Sequence, residues 1–134
     1  MNRIALATVS IVIFSCTDKI ADKHPVAAPE AEHPILGEWV LENDPTTKVV
    51  FNKDGTRDIY YQGEWDEYDR WNLTSSCNGH LSEIPDYIEI TDASGFIECN
   101  AIMNLKGGKN GILSYVTDTG RLVVMIRPHE DHGR

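Results

Sequence analysis

The sequence predicts an all-β domain: a small antiparallel eight-stranded meander barrel, set behind an N-terminal leader and a tether. Three observations carry this. From Ile35 onward, short apolar-rich runs are broken by turn residues at the spacing of consecutive hairpins. Asn52-Lys53-Asp54-Gly55 is a strong hairpin signal, because Asp-Gly readily supplies positive φ. No window keeps the period of an amphipathic helix. Closing such a meander removes its strand edges. A barrel of this strand number encloses room for side chains or one small ligand, and strands this short favour a packed interior.

The elements follow in order. Gly37 to Leu41 opens the first strand, and Asn43-Asp44-Pro45 turns it. Lys48 to Phe51 is the second, and Arg57 to Tyr61 follows the Asp-Gly turn. Gln62-Gly63 makes a bend or bulge before Trp65 to Leu73. Tyr87 to Ile90 lies between Pro85 and the turn Asp92-Ala93-Ser94-Gly95. Phe96 to Leu105 leads into the flexible loop 107–111. Ile112 to Val116 and Leu122 to Ile126 form a closing hairpin around Asp118-Thr119-Gly120. Pro128 stops the last strand, and residues 129–134 are a polar tail.

The chain has 134 residues, enough for one small domain. Its 12 basic residues stand against 21 acidic ones, a net charge of −9. That balance argues against nucleic acid as a partner and against peripheral binding to anionic lipid. Dinucleotide, Walker, zinc-protease, nucleophile-elbow and EF-hand patterns are absent. No enzyme activity and no cofactor are expected.

Residues 1–15 read as a secretory leader. Arg3 gives a positive start, and Ile4 to Phe14 is apolar but shorter than the ~20 residues of a membrane span. Ile13-Phe14-Ser15-Cys16 resembles the bacterial lipobox, which implies that Cys16 becomes the first residue and carries acyl chains. Several chains anchor firmly, at about 0.8 kcal/mol per buried CH₂. Thr17 rather than Asp follows Cys16, so the resemblance implies the outer membrane. Residues 16–34 are then a lipidated tether rich in Ala, Pro and charge, and residues 35–128 are the barrel.

With Cys16 lipidated, Cys77 and Cys99 remain, an even pair in an exported chain that points to a disulfide rather than two free thiols. His129 and His132 sit in the tail, His24 and His33 in the tether, and no spacing joins them or His80 into a metal site. Glu64, Asp66, Glu67 and Asp69 cluster around Trp65 and Tyr68. Strand alternation would place Glu64 and Asp66 on one face and Trp65 on the other, a solvated face rather than a calcium loop. Trp39, Trp65, Trp71, Tyr60 and Tyr61 are candidates for the core or for a ligand pocket.

Gly37-Glu38-Trp39 matches the GxW start of lipocalin-type barrels, whose Gly permits close packing and whose Trp closes one barrel end. Taken with Trp71-Asn72-Leu73, a following Cys, and the run from Asp86 to Gly95, the pattern is similar to the small bacterial serralysin inhibitors. Those are eight-stranded barrels with one disulfide that block secreted metalloproteases. The chain departs from them in having no Cys between Leu41 and Ser76, and in a mature N-terminus that would be acylated. A lipobox, a short tether and a compact barrel also resemble the potempins, bacterial lipoproteins that inhibit their producer's secreted proteases. The resemblance implies a secreted protease as partner. The expected inhibitory loop is Thr74-Ser75-Ser76-Cys77-Asn78, small, polar and pinned at Cys77. A lipocalin-like carrier of a small apolar ligand and a non-catalytic docking lipoprotein are the alternatives.

Overall fold

The computed structural model describes residues 32–83 and 86–129. The leader, Cys16, most of the tether with His24, and the tail with His132 lie outside the described residues. The described residues form ten strands: β1 (Gly37–Leu41), β2 (Asp44–Phe51), β3 (Thr56–Tyr61), β4 (Glu64–Thr74), β5 (Ser76–Cys77), β6 (His80–Leu81), β7 (Tyr87–Thr91), β8 (Ile97–Lys106), β9 (Ile112–Val116) and β10 (Leu122–Ile126). Eight close into an antiparallel barrel in the order β1-β10-β9-β8-β7-β4-β3-β2, and β5 and β6 pair as a separate two-stranded ribbon. This is the expected meander barrel.

Alternation builds the interior. In β7 every second residue is buried, Ile88 and Ile90, and β9 does the same with Leu113 and Tyr115. Together with Trp39, Val49, Phe51 and Met125 these fill the barrel, and each fully buried large apolar side chain contributes roughly 1.5–3 kcal/mol. Trp71 closes on Phe51 edge-to-face at 5.3 Å, and its indole N–H donates to the carbonyls of Asn52 and Thr56. Asn100 is fully buried opposite Ile88 and donates to the Ile88 carbonyl (3.2 Å). Its Oδ1 has no partner among the described residues, a cost of about 1–3 kcal/mol.

One barrel end is sealed by the segment entering β1. Ile35 and Trp39 are fully buried, and the Trp39 indole donates to the Ile35 carbonyl at 2.7 Å. Arg127, just past β10, lies 3.7 Å above the Trp39 ring. Its guanidinium donates to the carbonyls of Glu38, Pro34 and Leu36, each at 2.8 Å. Two glycines make room. Gly37 has φ +98°, and a Cβ there would lie 3.2 Å from Arg127 Nη1. A Cβ on Gly111 would lie 2.9 Å from Arg127 Cγ and 2.7 Å from the Lys106 carbonyl.

Four local expectations are corrected. Asp44-Pro45 belongs to β2, not to a turn: the Asp44 carboxylate accepts from Thr46 and Thr47 and extends the chain at once, and a register shift in β1 absorbs the difference. Gln62-Gly63 reverses the chain completely between β3 and β4, both residues at positive φ. The segment after Thr74 is not a plain loop but the β5–β6 ribbon. In β4 the pairing shifts from Ile59↔Glu67 to Tyr60↔Trp65, a bulge that interrupts alternation, so residues from Glu64 to Tyr68 are all exposed.

The hairpin carboxylates Asp54 and Asp92 each accept from a backbone N–H and a hydroxyl of their own turn, Thr56 and Ser94 respectively. The side-chain hydroxyl bonds, then the backbone ones, hold both below the ordinary value of 3.8. A carboxylate lowered in the folded state adds stability that is full above its unfolded value and is lost as pH falls through the folded one. Asp92→Ala should therefore flatten the fall in melting temperature below about pH 4, while leaving its shape near neutrality unchanged. Thermal melts from neutral pH into acid check this.

Candidate functional site

The β5–β6 ribbon is the one structured excursion between barrel strands among the described residues. It turns through Asn78 (φ +48°) and Gly79 (φ +81°), the two-residue positive-φ turn that Asn-Gly favours. Ser82 N–H donates to the Ser75 carbonyl (2.7 Å) and closes its base. The Thr74 hydroxyl donates to the Ser76 carbonyl (2.9 Å) and accepts from Ser76 N–H (3.1 Å), fixing the entry.

The ribbon is pinned covalently. Cys77 is buried and bridged to Cys99 in β8, with 5.9 Å between their Cα atoms. The expected disulfide is therefore present, and it ties the ribbon across β7. Beyond the pin the ribbon is open to solvent. Ser76, Asn78 and His80 are exposed, and Leu81 is 82% exposed, the most open large apolar side chain described. Of the expected loop residues, Thr74 ends β4, Ser75 is the linking bend, Ser76 and Cys77 form β5, and Asn78 is the tip. A groove of about 450 Å³ lies alongside, lined by Asn78, His80, Tyr87, Ala101, Val116 and Asp118. The sequence reading missed the ribbon, although Asn78-Gly79 carries its turn signal, and missed His80 and Leu81 as its outer strand.

The other aromatic and acidic candidates separate. Trp39 is core, Trp71 is half-buried against Phe51, and Trp65 and Tyr61 are exposed. Trp65 faces outward, stacked near Tyr68 and donating to Asp58 (3.2 Å). Glu64, Asp66 and Glu67 are solvated, but Asp69 turns inward. His33 is exposed, and its ring accepts from Ile35 N–H (3.3 Å). No group of three or more metal-ligating side chains occurs among the described residues.

Asp69 takes Arg57 inside the barrel, Nε to Oδ1 at 2.8 Å and Nη2 to Oδ2 at 2.5 Å, with both side chains about nine-tenths buried. Burial alone would lower the Arg57 pKa, but the hydrogen bonds and charge of Asp69 outweigh it and hold the guanidinium above its ordinary value. Burial raises Tyr115 beside it, against the opposing pull of Arg57, and the phenol stays protonated. Removing one partner of such a pair costs about 3–5 kcal/mol, whereas replacing both by apolar groups is often neutral.

The disulfide closes a loop of sequence separation 22, for which chain entropy gives about 3 kcal/mol. The double variant Cys77→Ala/Cys99→Ala should lower the unfolding free energy obtained from urea titration by about 3 kcal/mol. Amide hydrogen exchange should rise first in residues 75–82, with the barrel strands protected longest. No protein-family model, curated protein or solved structure matches the chain.

Proposed function

We propose that this chain is a lipid-anchored bacterial protein that inhibits a secreted protease, a metalloprotease by class, with the β5–β6 ribbon as its wedge. The observation that carries the reading is the ribbon itself: exposed at Ser76, Asn78, His80 and Leu81, yet closed at its base by the Ser82–Ser75 hydrogen bond and pinned just before its turn by Cys77–Cys99. A segment ordered before it docks loses little conformational entropy on binding. A covalent pin also resists the relaxation that productive cleavage requires. The exposed strand β6 offers backbone groups for extended pairing in a substrate cleft, and Leu81 offers an apolar side chain for a specificity pocket. In a zinc protease, the Ser76 hydroxyl or a ribbon carbonyl would take the position of the catalytic water. The barrel has no free sheet edge, which leaves excursions such as this ribbon as the places for backbone recognition.

The chain should inhibit a protease secreted by the same cell at close to one-to-one stoichiometry. Replacing Ser75, Ser76 and Asn78 with bulky residues should weaken inhibition by about tenfold or more without unfolding the barrel, judged by circular dichroism. Full protease activity in the presence of the chain, or digestion of the chain at the ribbon, would remove this reading.

The anchor rests on the lipobox resemblance at Cys16. Cys16→Ala should move the protein from the membrane fraction to the soluble one, or stall its processing. Unchanged fractionation together with an unmodified mature N-terminus would contradict the anchor and leave the ribbon mechanism standing.

A further inference from the structure

The mouth of the barrel, opposite the Trp39-sealed end, holds a pocket of about 310 Å³ that shares no lining residue with the groove beside the ribbon. Val49, Ile59 and Met125 supply apolar wall, Arg57 and Tyr115 supply a polar floor, and Glu42 and Arg121 join the lining with opposite charges. Such convergence of a few polar groups in an apolar concavity is the usual anatomy of a small-molecule site. The volume is at the lower limit of such sites, about 300–1,000 Å³, too small for a long acyl chain.

The charge of the floor narrows the chemistry. Asp69 occupies Nε and Nη2 of Arg57, so the guanidinium reaches the pocket already neutralised, and Asp69 is not part of the lining. An anion entering would lose its hydration and meet a compensated Arg57–Asp69 pair, with Glu42 in the lining offsetting Arg121, inside a chain of net charge −9. A cation would lose its hydration in the same way and find only donors in the Arg57 guanidinium. A wholly apolar molecule would leave the Tyr115 hydroxyl proton, on a phenol that already takes a hydrogen bond from Arg57, without an acceptor. What remains is a neutral molecule with a small apolar body and one oxygen acceptor.

We propose that the barrel mouth is a binding site for small, neutral, largely apolar carbonyl compounds, with the carbonyl oxygen accepting a hydrogen bond from the Tyr115 hydroxyl, which Arg57 holds on the pocket floor. The site is independent of the ribbon, and its occupancy needs no protease.

Three molecules of one shape separate the alternatives: acetophenone, with a neutral carbonyl; benzoate, its anionic counterpart; and ethylbenzene, with no acceptor. Each is titrated into the full chain while the methyl signals of Val49, Ile59 and Met125 are followed by NMR. Acetophenone should give saturable shifts at these methyls and bind about tenfold tighter than either of the others. Tyr115→Phe should bring acetophenone to within about twofold of ethylbenzene and leave ethylbenzene unchanged. Ile59→Trp should fill the pocket and abolish all three. The proposal is overturned if no probe gives saturable shifts at these methyls, if benzoate or ethylbenzene binds as tightly as acetophenone, or if Tyr115→Phe leaves the preference intact. Should Tyr115→Phe fail to fold, the order of the three probes on the unmodified chain decides alone.

Discussion

Between β1 and β10 only two residue pairs stand in register, Val40 with Ile126 and Leu41 with Met125. The neighbouring seam between β10 and β9 has five. Without closure of the short seam the barrel would be an open sheet with two exposed edges. Arg127 completes it by spreading one guanidinium over three carbonyls of the entering chain. These are hydrogen bonds to a charged group, each worth about 1.5–3 kcal/mol. The same guanidinium lies on the Trp39 ring, so the plug of the barrel floor and the closure of its wall are a single cluster. The small residues around it, Gly37 and Gly111, follow from the space it needs.

A second polar cluster, Arg57 with Asp69 and Tyr115, sits on the mouth side of the same interior. Its presence is hard to account for by stability, since apolar replacement of a buried ion pair is often neutral. It divides the interior into a packed half, built on Trp39, Phe51, Ile88 and Leu113, and an open half with a polar floor. The ribbon stands apart from both, held by a disulfide and not by core packing. Barrel closure, a polar mouth and a pinned ribbon are therefore separable parts of one small chain.

Most of the fold was legible because hairpin signals are local. Asp54-Gly55 and Asp118-Thr119-Gly120 mark reversals through their own conformational preferences, and alternation in β7 and β9 assigns the core faces. Legibility failed where one residue changes the register. The bulge in β4 moves Trp65 outward, and no composition signal marks it. Asp44-Pro45 looks like a turn, but the Asp44 carboxylate gathers Thr46 and Thr47 into an extended start of β2. The interior pair was half-visible: Arg57 is in phase with Ile59, and Asp69 with Trp71 and Leu73. That two charged positions with inward phase lie on adjacent strands depends on the β3–β4 register, which the sequence does not state. The role of Arg127 depends on a contact almost the whole barrel away in sequence.

An even number of strands in a meander brings the chain in and out at the same end of the barrel. Here that end is the one plugged by Trp39, and residues 32–36 enter β1 on that side. The arrangement also has a mechanical consequence. Tension applied through the two chain ends would fall on β1 and β10, which are neighbours and antiparallel, and would peel them apart one bond at a time rather than shear them together. The grip of Arg127 on Pro34, Leu36 and Glu38 lies at the point where that peeling starts. The clasp is thus the first element to bear load when the domain is pulled by its ends, and the seam behind it offers little to arrest the opening.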